Sequence, residues 1–146
     1  SQGVLNASSR FLAAEPEVAL TIPSTAEKVI TVGAYHTAYP SYAEFSGRGF
    51  TRMTNQVKPD LAAPGVDITT SRSGGGYGSV TGTSFATPFV TGAAALLMEW
   101  GIVQGNSPYL YGEKVKAYLI RGAKKLPGFD VWPNPQVGAY DNIVSG

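Results

Sequence analysis

The sequence contains no cysteine, so a disulfide framework, a zinc–thiolate cluster and a thiol nucleophile are all excluded. Charge is also scarce. Asp, Glu, Lys and Arg make up 14% of the 146 residues, against about 25% in an average protein. Neither sign is in excess: 11 basic residues face 10 acidic ones, for a net charge of +1. A disordered charged tail is therefore excluded, and a nucleic-acid partner is not expected because a basic surplus is missing. Histidine occurs once, as His36. The most apolar stretch, Phe85 to Trp100, is interrupted by Thr87, Thr91 and Glu99. It falls short of the roughly 20 residues of a membrane span, so it reads as a buried helix and no membrane partner is expected. Internal repeats and low-complexity linkers are absent. The opening Ser1-Gln2-Gly3-Val4 has neither a basic n-region nor an apolar run, which argues against a signal peptide. Without a starting methionine the chain reads as processed or excised, and the lack of cysteine suits an extracellular bacterial protein and a cytosolic one equally.

What the sequence does have is glycine (18) and proline (10), about a fifth of the chain against roughly 12% on average. Many turns and close backbone contacts are expected. Lys28-Val29-Ile30-Thr31-Val32-Gly33-Ala34 is β-branched and nearly all apolar, as in a parallel strand buried on both faces. Residues 39–55 read as loop, 59–65 as a turn-rich connection, 66–70 as a short strand and 73–78 as a glycine loop. A helix follows from Ser84 to Trp100, with Gly101 as its stop. Its apolar residues surround it, so it should be central and buried. Gly92, Ala93 and Ala94 should let strands approach it closely. A second helix runs from Glu113 to Leu126 and ends at Pro127-Gly128. Its apolar face carries Val115, Tyr118, Leu119, Ala123 and Leu126. Lys114, Lys116, Arg121, Lys124 and Lys125 form a solvated face. Buried strands followed by helices give an α/β layered fold.

The chemistry lies in Gly82-Thr83-Ser84-Phe85-Ala86-Thr87-Pro88. A glycine turn delivers a serine to the start of an apolar helix. Unpaired N–H groups and a partial positive charge gather there. An oxyanion forming at Ser84 would be stabilised, which favours acyl transfer. Pro88 has no N–H for the Ser84 carbonyl four residues back, so the first turn should be irregular. A competing reading makes Thr83 or Ser84 a helix N-cap; the full string with its apolar helix favours the nucleophile. The glycines at 74–76 and 78 fail the spacing of a phosphate loop, and no Lys-Ser/Thr pair follows. No Gly-x-Ser-x-Gly elbow occurs, against an α/β-hydrolase.

Gly82-Thr83-Ser84-x-Ala86-x-Pro88, with Val90-x-Gly92-Ala93-Ala94-Ala95-Leu96-Leu97 behind it, resembles the nucleophile segment of subtilisin-like serine proteases. Residues 28–34 resemble that family's core strand. Phe45-Ser46-Gly47-Arg48-Gly49 and Lys58-Pro59-Asp60-Leu61-Ala62-Ala63-Pro64-Gly65 resemble its loops before the nucleophile. Glu99-Trp100-Gly101-Ile102-Val103, Leu110 to Lys116 and Arg121-Gly122-Ala123 are most similar to the clostridial branch that includes the spore-germination subtilases.

The resemblance implies an α/β fold, the C-terminal part of a subtilisin-like three-layer domain with a parallel sheet between helices, incomplete in this chain. Residues 23–146 would be that part, and 1–22 the tail of an inserted segment. It implies a serine endopeptidase in which Ser84 attacks the peptide carbonyl, with its own N–H as an oxyanion donor. The Thr83 hydroxyl assists, and Gly82 lets substrate pass close. No metal or cofactor is implied. A triad also needs a base and an orienting acid, which in subtilases precede the serine in the order Asp, His, Ser. His36, in Ala34-Tyr35-His36-Thr37, lacks the family's surround and reads as structural. The family's Asp motif is absent, and Asn6 does not match its oxyanion asparagine. Asp60 and Arg48 read as ion-pair or loop anchors. Asp and His would therefore come from an upstream part of the same protein, and the fragment alone should be inert. The expected partners are a peptide or protein substrate, that upstream part, and other copies of the fragment. The resemblance points to a secreted or spore-associated bacterial protein. The alternative is a catalytically dead subtilase fold used as a sensor or binding module.

Overall fold

A computed structural model describes residues 19–126. The inserted tail assigned to 1–22, Asn6 and the helix stop at Pro127-Gly128 lie wholly or almost wholly outside these residues. In order come β1 (Val32–His36), β2 (Ser41–Tyr42), β3 (Gly49–Phe50), β4 (Val57–Lys58), β5 (Leu61–Pro64), β6 (Ile68–Ser71), β7 (Tyr77–Val80), α1 (Thr83–Met98), a π-helical turn (Glu99–Val103) and α2 (Gly112–Gly122).

The central sheet has the order β2-β1-β5. β1 and β5 are parallel, in register from Val32 opposite Leu61 to Tyr35 opposite Pro64. β2 is antiparallel to the end of β1, pairing Tyr35 with Tyr42 and His36 with Ser41. β3–β4 and β6–β7 are two separate hairpins. α1 lies across β1 and β5, and α2 packs beside α1.

Small residues set this spacing. Ala34, Ala43, Ala63 and Ala86 are buried together, with Val32, Val66 and Val90 against them. Helix and sheet approach so closely at Gly65 that a Cβ there would sit 2.5 Å from Ala34 Cβ and 3.3 Å from Ala86 Cβ.

Several boundaries differ from the sequence expectation. The first strand begins at Val32 rather than Lys28, because pairing to β5 starts there; Val29 is half exposed. The expected loop 39–55 contains β2 and β3, and the connection 59–65 contains β5. Leu61-Ala62-Ala63-Pro64 has little β-branching and is a strand through its pairing to β1. The strand expected over 66–70 is β6, which begins at Ile68, not Val66, since Asp67 has φ 54°. The glycine loop is the tip of the β6–β7 hairpin, with Gly74, Gly75 and Gly76 at positive φ.

Gly101 does not stop the first helix. The chain continues through the π-helical turn, where Gln104 N–H donates to Glu99 O at 3.0 Å. Gly101 instead makes room for Leu110, whose Cδ2 would lie 2.8 Å from an added Cβ. The continuous helix is 21 residues, long and apolar enough to cross a membrane by length and composition, contrary to the shorter length expected. One side of it packs against the parallel pair β1 and β5. Nor is α1 buried all round: Ala86 is its one buried residue, and Leu96 is 68% exposed. Among the described residues a Cβ on Gly92 would meet nothing within 4 Å, so none of the described strands approaches it. α2 ends at Gly122 rather than Leu126, with Ala123 already extended; Val115 is buried, as its face predicted.

Candidate active site

Two hydrogen bonds deliver the chain from the sheet to the start of α1. Gly82 N–H donates to Gly65 O at 2.8 Å, tying the turn to the end of β5. Asp67 N–H donates to Thr81 Oγ1 at 3.0 Å, tying it to the base of the β6–β7 hairpin. Between them Gly82 takes φ 155° and ψ 158°, a region essentially restricted to glycine. The glycine expected at this turn is thus required by its backbone.

Gly82 is itself the N-cap residue, and no side chain caps the helix. Thr83 and Ser84 are the first two residues of α1, so neither is the N-cap. Phe85 N–H is used on Gly82 O at 3.0 Å. Among the described residues, the Thr83 and Ser84 amides meet no backbone acceptor outside the helix. They are first-turn donors of the kind that hold anions. Thr87 Oγ1 donates to Thr83 O at 3.1 Å, and Pro88 lies inside the helix one residue further on. Ser84 is exposed, and its hydroxyl forms no hydrogen bond among the described residues.

Ser84, Thr83 and Thr87 line a cleft of about 330 Å³. The rest of its lining is Val29, Ile30, Thr31 and Val32, just before and at the start of β1, together with Pro23 and Ser24. This lining contains no histidine and no carboxylate. His36 is elsewhere, at the end of β1, paired with Ser41 and stacked on the Tyr39 ring at 4.8 Å between centroids. The described residues contain no cluster of metal-ligating side chains.

Asp60 anchors the structure in the way the sequence suggested. It pairs with Lys58 at 2.6 Å and with Lys116 at 2.8 Å, and accepts from Thr31 N–H at 2.7 Å. Arg48 lies over the Tyr42 ring, 5.8 Å from its centroid. Sequence reasoning missed the two lysines. Lys58 is among the most buried residues of the chain, its side chain 1% exposed. Desolvation pulls its amine below the usual 10.5, partly offset by Asp60. Residues two apart on extended chain share a face, so Lys58-Pro59-Asp60 carried that signal. Lys116 was placed on the solvated face of α2, yet it reaches Asp60 and the Glu27 and Val29 carbonyls. Only the fold brings that side chain to the sheet.

Comparison with known proteins gives consistent matches. The model of the subtilase family matches residues 10–139. The solved structure of the Clostridium perfringens CspB protease is 46% identical, with a TM-score of 0.78, over 87% of this chain and 27% of that one. The self-cleaved protease domain of PatA is 30% identical, with a TM-score of 0.58, over 86% of this chain and 45% of that one. Among curated proteins, serine protease AprX of Bacillus subtilis is 37% identical over 123 residues, 70% of this chain. The chain spans 26% of AprX's length.

Proposed function

The chain belongs to the subtilase family, and from that premise we propose that it is the nucleophile-bearing part of a serine endopeptidase, with Ser84 as the attacking residue. The observation that carries the reading is an exposed serine hydroxyl without a hydrogen-bond partner among the described residues, at the N-terminus of a helix and on the wall of a cleft.

The chemistry follows from that placement. Ser84 Oγ adds to the carbonyl carbon of a peptide bond, and its proton goes to a general base. The carbonyl oxygen becomes negative and takes hydrogen bonds from the free first-turn amide of Ser84, with the Thr83 hydroxyl beside it. Gly82, without a side chain, leaves room for substrate backbone. Collapse of the adduct expels the amine, protonated by the same base, and leaves an ester on Ser84. Water then hydrolyses the ester by the same steps in reverse order.

Among the described residues no base lines the cleft, and on this reading the Asp and His are supplied by an upstream part of the same protein. The substrate is a peptide or protein. The chain alone is a poor nucleophile, since losing the base in subtilisin costs on the order of 10⁶ in kcat.

The test joins this chain behind the part of the Clostridium perfringens CspB protease that precedes its own matching segment. A serine-directed fluorophosphonate should label the chimaera rapidly, and Ser84→Ala should abolish the label. The 146-residue chain alone should label at least about a thousandfold more slowly. Labelling at another residue, or equal labelling without the upstream part, would refute the assignment.

A further inference from the structure

We propose that Lys116, on α2, is a positioning residue for the cleft beside Ser84, holding in place the wall that the chain forms just before β1. The inference rests on the reading of that cleft as the seat of a peptide.

The wall is unusual in how it is held. Val29, Ile30 and Thr31 line the cleft but precede β1, whose ladder begins at Val32. Their backbone is fixed by side chains and by the turn into β5. Val29 O accepts from Lys58 Nζ and from Lys116 Nζ, each at 3.1 Å. Glu27 O accepts from Lys116 Nζ at 3.4 Å. Thr31 N–H donates to Asp60 Oδ2 at 2.7 Å, and Thr31 O accepts from the Asp60 and Leu61 amides at 2.9 and 3.3 Å. Thr31 Oγ1 in turn donates to Ser24 O at 2.6 Å, fixing the edge of the same cleft.

Asp60 sits at the centre of these bonds, with Lys58 on Oδ2 and Lys116 on Oδ1. Lys58 is two residues away in sequence and enclosed, so it accompanies Asp60 wherever the loop goes. Lys116 arrives from the second helix, 87 residues beyond Val29. Among the described residues, its hydrogen bonds tie the cleft wall to α2. The other ion pair between these regions, Lys28 with Glu113, is 82% and 58% exposed, and pairs of that kind contribute little. The part of the cleft lining that precedes β1 is therefore held in part by where α2 places one ammonium group.

A merely structural lysine would stabilise α2 and loosen the whole chain when removed. A positioning lysine loosens the wall selectively. The test uses the 146-residue chain with Lys116→Met and Lys116→Arg, reading amide hydrogen exchange by NMR. Lys116→Met should accelerate exchange at Thr31 by roughly tenfold. It should leave Ala34 and Ala43 unchanged, since their amides are held by Ser46 Oγ and Ala34 O inside the sheet. Lys116→Arg should restore protection at Thr31. Acceleration of all amides together, or none at Thr31, would overturn the proposal.

A blocked tetra-alanine peptide supplies the second readout. It should shift the Ser84 and Thr87 amides of the unaltered chain and bind several-fold more weakly to Lys116→Met. No shift in the unaltered chain would remove the peptide reading of the cleft, and the positioning role with it, even where the exchange pattern holds. A shift that Lys116→Met leaves intact, with Thr31 exchange unchanged, would remove the positioning role alone.

Discussion

The same chemical change, Gly→Ala, should have opposite consequences at Gly65 and Gly92. At Gly65 an added Cβ would lie 2.5 Å from Ala34 Cβ, 3.1 Å from Gly82 O and 3.3 Å from Ala86 Cβ. Comfortable carbon–carbon contact is about 3.5–4.0 Å. Neither a Cβ nor a backbone oxygen can rotate away, so relief requires both β1, at Ala34, and the start of α1 to move away from the end of β5. Such overpacking costs about 1–3 kcal/mol, and three simultaneous contacts put Gly65→Ala toward the upper end. The loss of unfolded-chain freedom returns about 0.4–1 kcal/mol, leaving a net loss of about 2 kcal/mol. At Gly92, inside α1, a Cβ would meet nothing within 4 Å. Gly92→Ala should therefore stabilise by about 0.8–1.0 kcal/mol, the difference in helix propensity. Urea unfolding followed by circular dichroism measures both. With a slope of about 2 kcal/mol/M, the Gly65→Ala midpoint should fall by about 1 M and that of Gly92→Ala should rise by about half as much. Ala34→Gly should recover part of the Gly65→Ala loss. Midpoints moving in the same direction, or no recovery, would refute the close packing of Gly65 against β1 and α1.

Other outcomes follow from the buried polar groups and the uncovered helix. Asp60→Asn leaves Lys58, its side chain 1% exposed, without a counter-charge; the expected loss is about 3–5 kcal/mol, most of it recovered by adding Lys58→Met, and a double variant no more stable than Asp60→Asn alone would contradict this. The Tyr42 phenol is held above its ordinary 10.0, chiefly by burial. The unfolded chain then loses that proton first, so this group's contribution is intact below pH 10.0 and falls as pH rises beyond it. The ultraviolet difference titration between the unaltered chain and Tyr42→Phe should show a midpoint above 10.0, and a midpoint at or below it would count against the burial. Phe89, Leu96, Met98 and Trp100 of the long helix are 44–68% exposed, and apolar surface of this extent associates. Size-exclusion chromatography should show species larger than the 15.3 kDa chain, and Leu96→Lys should reduce them; a compact monomer would sink the expectation.

The fold lies in the sequence to different depths. The β1 segment was legible through its β-branched run, though its ends were not, because the ladder starts where β5 supplies partners. β5 itself was hidden: Leu61-Ala62-Ala63-Pro64 has the composition of a connection, and parallel pairing to a distant strand makes it a strand. Gly101 carried a stop signal and serves as a packing site for Leu110. Gly82 carried a turn signal, and its φ of 155° bears that out. At the site, the placement of Ser84 at a helix N-terminus was readable from local pattern alone. The pairing of Lys58 with Asp60 was carried by their spacing, whereas Lys116, the second lysine on that carboxylate, is contributed by a helix far along the chain.

By itself, then, the sequence determined the local matters: a glycine turn into an apolar helix, a serine at its start, and an α/β layering of strands and helices. These depend on residues within a few positions of one another, or on composition. The tertiary structure alone decided which carbonyls Lys116 reaches, how closely α1 approaches the sheet at Gly65, and what lines the cleft beside Ser84. Those are set by groups many residues apart, whose meeting depends on packing geometry that no local pattern encodes.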